Sequence, residues 1–251
     1  MKKTLSFLVA FGLYGLLFYF VYTNALEKTI DFSVYQQYYR VILNGWLTTL
    51  SISAVSLILA LFVGLMLYLM HESRNKVLHY LAEIHKTIIF GTPLVVIAII
   101  AYYYIGNAFN VDSKFWVGAL TLALYIGAYI ADIYKGAIES IHINQWQTAK
   151  MFGFSRYQTY RYIVFPQVIT TILPPLAGQF AMTIKSSALL AYMSTDEFLN
   201  AIQTVQSISF RYPEGFFIVT VGYLILTIPL ILLVRYLEKK FNYKVTHEFE
   251  A

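Results

Sequence analysis

Residues 46–70 read WLTTLSISAVSLILALFVGLMLYLM, and no charged side chain interrupts them. At the centre of a bilayer each Leu, Ile, Val or Phe favours insertion by about 0.3 to 0.6 kcal/mol, and one charge cancels several of them. The stretch also has the roughly 17 to 25 residues needed to cross the hydrocarbon core. Its solvent is therefore lipid, and the remaining chain has to be read with that in mind.

Similar apolar runs occupy about 5–22, 87–109, 115–134, 163–184 and 216–234, which predicts six membrane helices. The 251 residues are 59% hydrophobic and 12% charged, far from the roughly 25% charge of soluble domains. A soluble helical protein would need amphipathic outer helices to shield such runs, and the chain has no set of them. The fold class expected is an all-α membrane protein. There is no cysteine, so neither a disulfide framework nor a thiolate metal site is available.

Lys and Arg prefer cytoplasmic loops, and their distribution orients the helices. With the N-terminus inside, the inner segments hold Lys2, Lys3, Arg74, Lys76, Lys86, Lys135, Lys150, Arg156, Arg161, Arg235, Lys239, Lys240 and Lys244. The outer segments hold Lys28, Arg40, Lys114, Lys185 and Arg211. Both termini are thus expected in the cytoplasm, and the net charge of +5 reflects topology rather than nucleic-acid binding. The first run, MKK followed by apolar residues and TNA at 23–25, also resembles a secretory signal; it is long for one, and an uncleaved helix is the preferred reading.

Helices in lipid associate through small residues that let backbones approach. Ala119, Ala123, Gly127 and Ala131 recur every four residues in one span, and Ser56, Ala60 and Gly64 do so in another, so both stripes are expected contact faces. The run from Val164 to Lys185 contains Pro166, Pro174, Pro175 and Gly178. Pro174 and Pro175 remove the hydrogen bonds of the Thr170 and Thr171 carbonyls, which predicts a kink that the threonine hydroxyls relieve. Such breaks line water-filled paths in transporters, and Gln179, Lys185, Ser186 and Ser187 lie beside this one. Asp132 is expected to pair with Lys135 or Arg161, and Lys185 to snorkel outward.

A polar segment, NQWQTAKMFGFSRYQTYRYIVFP at 144–166, separates two apolar runs. Asn144 as N-cap with Gln147 three residues on, and Gly153 as a left-handed stop, predict a helix over 145–152. Ser155 and Gln158 start a second helix directly after it. A helix that short is marginal in water. Something holds it, either a partner protein or the membrane face, and Trp146, Met151, Phe152 and Phe154 suit both; small Ala149 would allow close backbone approach.

The spacing of Gln147-Thr148-Ala149, Gly153, Ile163, Phe165 and Pro166 resembles the EAA signature of the membrane subunits of ABC importers. GTPL at 91–94, GAYIADIYKGAIESI at 127–141 and FPQVITTILPPLAGQF at 165–180 resemble the polar amino-acid uptake branch of that family, and the similarity runs from about Asn44 to Lys240. Gln147 stands where the signature usually has glutamate, Phe165 where it has leucine, and Ser186 where the branch commonly has aspartate.

This resemblance implies a type I importer fold, with a five-helix core plus an N-terminal helix, in a bacterial cytoplasmic membrane. It implies an anchor over 1–34, a permease domain over 35–240 and a tail over 241–251. Gln147, Thr148, Ala149, Met151, Phe152 and Gly153 would form a coupling helix seated on a separate ATPase subunit, which binds the ATP and Mg. Thr92, Pro93, Tyr125, Tyr129, Gln179 and Ser187 would line the substrate path; Asp132, Pro174, Pro175, Lys185 and Ser186 would serve as gate or structure. Implied partners are the ATPase subunits, a second permease subunit, membrane lipid and an extracytoplasmic amino-acid-binding protein docking near 110–114 and 194–215.

The chain has no G-x-x-x-x-G-K-[ST] loop: Lys185-Ser186 follows Ile184 where that motif requires glycine. H-E-x-x-H and G-x-S-x-G are also absent, so no metal or catalytic residue is assigned. The histidines at 71, 79, 85, 142 and 247 fall in inner loops or the tail and read as interfacial. The rival class is an intramembrane enzyme acting on lipid or peptide, with Asp132, Lys185 and tyrosines as its polar core. The cargo stays open between an amino acid and an opine, a sulfur-containing amino acid or another small zwitterion.

Overall fold

The computed structural model of the chain describes residues 2–25 and 30–248. Expectations for Lys28 and for the tail beyond 248 lie outside the described residues, as do the side chains of Lys2, Lys3, Lys244 and His247 and those of the TNA site.

Eleven α-helices follow one another without a strand among the described residues. They are α1 (Lys2–Ala25), α2 (Ser33–Gln37), α3 (Tyr39–His71), α4 (Lys76–Gly91), α5 (Leu94–Ile100), α6 (Lys114–Glu139), α7 (Ile143–Met151), α8 (Arg156–Thr159), α9 (Phe165–Ser186), α10 (Phe198–Ser209) and α11 (Tyr212–Glu248). A π-helical turn, Ala101–Gly106, extends α5, and another, Tyr160–Val164, joins α8 to α9; a 3-10 turn, Ser187–Met193, extends α9.

Four helical stretches are long and apolar enough to cross a membrane: Tyr39–His71, Lys114–Glu139, Arg156–Met193 and Tyr212–Lys240. The expected span over 87–109 is not one helix. Lys76–Gly91 and Leu94–Gly106 are bent by 114° at Thr92–Pro93, giving a fifth crossing if the pair counts as one. Proline excludes the α region for the residue before it, and Thr92 is accordingly extended (φ −123°, ψ 131°). The sixth expected span corresponds to α1, whose described apolar stretch is Leu8–Leu17; Leu8, Leu13 and Leu16 are exposed, and a Cβ on Gly12 or Gly15 would meet nothing within 4 Å.

The two small-residue stripes do mark the central seam. Ser56, Ala60 and Gly64 of α3 and Ala119, Ala123, Gly127 and Ala131 of α6 are all buried. A Cβ on Gly127 would stand 2.5 Å from Val63 Cγ1, so only hydrogen fits there. Around this seam α4, α5 and α9 add Ala82, Ile89, Leu94, Ala98 and Leu176 to one apolar core. A smaller core of Tyr35, Phe198, Ile202 and Val205 joins α2 to α10, with Trp46 of α3 and Ile218 and Tyr223 of α11 packed against it.

Helix α9 continues through Pro174 and Pro175, and one expectation for it needs correction. The Thr170 and Thr171 hydroxyls do not compensate the freed carbonyls; both donate to the Gln167 carbonyl, at 2.7 and 3.0 Å, because a side chain reaches back one turn to the residue i−3 or i−4. The departures from α geometry fall at the two ends instead, at Tyr160–Val164 and Ser187–Met193.

Candidate functional site

At one end of the bundle the chain leaves α6, makes α7, and re-enters through α8. The start of α7 is two residues earlier than the sequence suggests. His142 is extended (ψ 137°) and its Nδ1 accepts from the Asn144 N–H at 3.2 Å, so His142 is the cap and Asn144 lies in the first turn. The stop is as expected. Gly153 has φ +73°, its N–H donates to the Lys150 carbonyl at 3.0 Å, and the Phe154 N–H donates to the Ala149 carbonyl at 3.0 Å. This pair of bonds is the Schellman termination, in which the left-handed residue lets two carbonyls of the last turn be satisfied.

Ser155 then opens α8 with a reciprocal cap: the Gln158 N–H donates to Ser155 Oγ at 3.3 Å, and the Ser155 N–H donates to Gln158 Oε1 at 2.8 Å. From Arg156 the helix continues to Met193 and carries the α7 foot on its end. Two caps back to back leave little slack between foot and span.

The faces of α7 have different tasks. Met151, Phe152 and Tyr157 are 87%, 77% and 74% exposed, and Gln147 and Thr148 are exposed beside them. Ala149 is buried, so its small side chain seats α7 against its own chain and does not open a path for a partner's backbone. Trp146 is half-buried against Tyr160 (ring centroids 5.4 Å apart) and packs with Ala137, Ile141, Val164 and Val168. A cleft of about 510 Å³ beside it is lined by Ile143, Trp146, Gln147, Lys150, Phe154, Arg156, Thr159 and Tyr160.

The residues expected along a substrate path are partly gathered. Leu94, next to the Thr92–Pro93 bend, shares the main core with Tyr125, Tyr129, Leu176 and Phe180. The Tyr125 and Tyr129 hydroxyls lie 3.4 Å apart, and the Phe90 ring packs on Tyr129 at 4.9 Å. Gln179 Oε1 is buried without a hydrogen-bond partner, an unfilled acceptor inside α9. Thr92 is half-buried and Pro93 exposed at the bend. Ser187 is buried and donates to the Ile184 carbonyl at 2.7 Å, so it serves the 3-10 turn.

Asp132 pairs with Lys86 of α4, not with Lys135 or Arg161; Lys135 lies 4.0 Å from Glu139. Lys86 lies on the neighbouring helix, close enough to reach the carboxylate, whereas Lys135 is drawn to the carboxylate one turn on. Lys185 is exposed near the far end of α9, Ser186 is buried, and Pro174 and Pro175 are exposed. Asp132 lies near the α7 end and Lys185 at the opposite one, so the polar core that the enzyme reading needs is not assembled. The histidines are more engaged than expected: His71 Nε2 is 2.8 Å from Glu83 and its Nδ1 3.0 Å from Glu72, while His79 contacts the His71 carbonyl at 2.6 Å, which ties the α3–α4 elbow.

Sequence reasoning overlooked two buried acids at the end opposite α7. Glu197 is fully buried and caps α10, accepting from the Leu199 and Asn200 N–H groups (2.9 and 2.7 Å), the Thr49 hydroxyl (3.3 Å) and the Tyr223 hydroxyl (3.0 Å). Burial pushes its carboxyl above the ordinary value, and these donors oppose the shift. It thereby ties α3, α10 and α11 together. Glu214 accepts from the Asp31 N–H at 3.0 Å and lies 3.6 Å from the Arg211 guanidinium, which also faces Asp31 at 3.7 Å. An acidic residue just before an apolar run was the available signal for both, Glu197 ahead of α10 and Glu214 in the first turn of α11 with Arg211 three residues before it; the Glu214 contact with Asp31 spans too much sequence to leave one.

Comparison with known proteins places this geometry in context. Residues 56–243 match the family described as binding-protein-dependent transport system inner membrane component. The glutamine transport system permease protein GlnP of Escherichia coli (strain K12) is 32% identical over 202 residues, covering 79% of this chain and 92% of that protein. The probable glutamine ABC transporter permease protein GlnM of Bacillus subtilis (strain 168) is 29% identical over 198 residues, with the same coverage of 79% and 92%. Among solved structures, an amino acid ABC transporter with histidines superposes with a TM-score of 0.77 at 27% identity, over 85% of this chain and 100% of that one. The methionine ABC transporter MetNI shares the fold, with a TM-score of 0.66 at 14% identity, over 80% and 96% of the two chains.

Proposed function

The chain belongs to the binding-protein-dependent transport system inner membrane components, and from that premise we propose that it forms half of the path of an ATP-driven amino-acid importer. It is a multi-pass membrane permease, and ATP hydrolysis is the work of a separate subunit. Glutamine, named in the relatives, is the first cargo to test.

The observation that carries the mechanism is the foot. Helix α7 exposes Met151 and Phe152, ends in a fixed left-handed turn at Gly153, and passes through a reciprocal cap into a helix that continues to Met193. A push on Met151 and Phe152 therefore enters α9 without being dissipated in a loose loop. In our reading the foot faces the cytoplasm, Gln147, Thr148, Met151 and Phe152 touch the ATPase, and Ala149 and Gly153 set the shape of the contact. ATP and Mg are held on that partner.

The Thr92–Pro93 bend, the Tyr125–Tyr129 pair and the unfilled Gln179 acceptor then supply polar groups where a zwitterion could pass between two permease subunits. Asp132, Pro174, Pro175, Lys185 and Ser186 have structural or gating tasks in this scheme. The test is reconstitution of the chain with its ATPase in liposomes. A glutamine-loaded binding protein should raise ATP hydrolysis and drive glutamine uptake. Turnover of a lipid or peptide by the isolated chain, with no response to any binding protein, would overturn it.

A further inference from the structure

At the end of the bundle opposite α7, α3 and α11 flank an open groove of about 650 Å³. Tyr39, Leu43 and Trp46 line it on one side, and Phe217, Val221 and Ile225 on the other. Tyr35 and Phe198 are its buried residues. Trp46 Nε1 donates to the Gly222 carbonyl at 3.1 Å, and Phe198 leaves no room for a side chain on Gly222, so the spacing of the two helices is fixed.

The wall of the groove is nearly all carbon, and a zwitterionic amino acid finds no partner for its charges there. Left empty, the same wall forfeits its dispersion contacts. From Tyr39 to Trp46 α3 rises about 10 Å, and from Phe217 to Ile225 α11 rises about 12 Å, within the roughly 15 Å that one leaflet of the hydrocarbon core spans. An acyl chain matches this depth and this chemistry. Bulk lipid is as apolar as the groove, so a chain gains little by moving from one to the other. Whatever distinguishes one lipid from another has to lie at the mouth.

Arg40 stands there, exposed in the first turn of α3. Its Nε donates to the Tyr39 hydroxyl at 3.0 Å, and the guanidinium carbon lies 5.8 Å from the centre of the Tyr39 ring, so the cation is held against the groove wall. No acidic residue shares that turn, and among the described residues no carboxylate pairs with Arg40. A guanidinium with free terminal nitrogens suits a phosphate, which it can meet with two parallel hydrogen bonds.

We propose that the groove is a binding site for an anionic phospholipid, one acyl chain lying along Leu43, Trp46 and Val221 and the headgroup phosphate resting on Arg40. A zwitterionic headgroup brings its own cation to the phosphate and gains less from the arginine. Phe198 directly follows Glu197, so a chain packed on its ring braces the junction of α3, α10 and α11 that Glu197 ties. The site holds whatever the cargo is.

The experiment uses the permease–ATPase complex, stripped of lipid in detergent and offered phosphatidylglycerol or phosphatidylcholine with identical chains. Native mass spectrometry should show phosphatidylglycerol retained about fivefold more tightly, as for one basic side chain against an anionic headgroup, and the thermal midpoint should rise with its binding. Arg40→Gln should bring the two lipids level, and Leu43→Trp, which fills the groove, should lower retention of both. Equal retention of the two lipids by the unmodified complex, or a preference unchanged in Arg40→Gln, overturns the proposal. Displacement by glycerol phosphate at equal concentration also overturns it, because the ligand is then a free phosphate and the chain is idle. The sequence has no cysteine, which makes engineered disulfides unambiguous. In bilayers containing phosphatidylglycerol, a disulfide joining Val221→Cys to Leu13→Cys of α1, or to Val221→Cys of a second copy, would seat protein in the groove and exclude the lipid. None of these readouts involves uptake, so the importer reading stands or falls separately.

Discussion

Gly64 of α3 and Ile130 of α6 approach so closely that a Cβ added to the glycine would stand 2.6 Å from Ile130 Cγ2. Two residues 66 positions apart in the chain are thereby held so that their helices meet at backbone distance, where small residues in lipid permit the closest packing.

Gly64→Val should force the α3–α6 seam apart. Overpacking of this kind costs about 1 to 3 kcal/mol. The drop should appear as a lower thermal midpoint in detergent. Gly12→Val in α1, where nothing lies within 4 Å, is the matched control and should leave the midpoint unchanged.

Glu197→Ala would strip the cap from α10 and leave the Thr49 and Tyr223 hydroxyls without their shared acceptor. The loss should be about 2 to 4 kcal/mol, from the cap and the unsatisfied buried donors together. Because burial raises the folded-state pKa above the ordinary 4.5, the folded protein binds this proton more tightly than the unfolded chain. Stability from this group is fully present below 4.5 and is lost as pH rises from there through the folded value. Glu197→Gln should flatten that slope in thermal unfolding followed between pH 4 and 7. A slope identical to that of the unmodified chain would rule the carboxyl out as its source.

Gly153→Val should be costly, since φ +73° is a conformation that β-branched residues resist by about 1 to 2 kcal/mol. Membrane insertion should be intact, while ATP-driven uptake falls. Gly153→Asn, which tolerates the left-handed region, should retain most uptake. Equal transport by the valine and asparagine forms would show that the turn at residue 153 does not transmit force.

Asp132→Asn distinguishes an ion pair from a substrate contact. The pair with Lys86 is half-exposed on the carboxylate side, so its loss should cost under about 1 kcal/mol and leave the affinity for cargo unchanged. Substrate uptake curves for the variant would reveal a role in the path if the half-saturating cargo concentration rose severalfold.

What could be read directly from the residues was whatever depends on near neighbours. The four-step stripes at Ser56–Ala60–Gly64 and Ala119–Ala123–Gly127–Ala131 are contact faces, and Gly153 and the Ser155–Gln158 box lie where the spacing puts them. Residues 87–109 misled because apolarity alone does not register that Pro93 turns the chain by 114°. Asp132 misled because sequence offers Lys135 at three residues and says nothing of Lys86 on another helix. The bond between Glu197 and Thr49 was hidden for the same reason, since the two lie 148 positions apart, although the cap itself left a local signal. The α7 cap moved to His142 through a ring nitrogen accepting a backbone proton, a role ordinarily taken by shorter side chains.

Helix α6 has one more consequence, for how the protein is made. Of its most apolar stretch 67% of the residues are buried within the chain, against 33% in α3 and 22% in α11. The stretch is also less apolar than those two, so it gains less than they do from partitioning by itself. Its residence in the bilayer depends on a docking surface already present, and α3, synthesised earlier, supplies it. Biogenesis thus has a built-in order, in which an early span acts as the template that retains a later, less self-sufficient one.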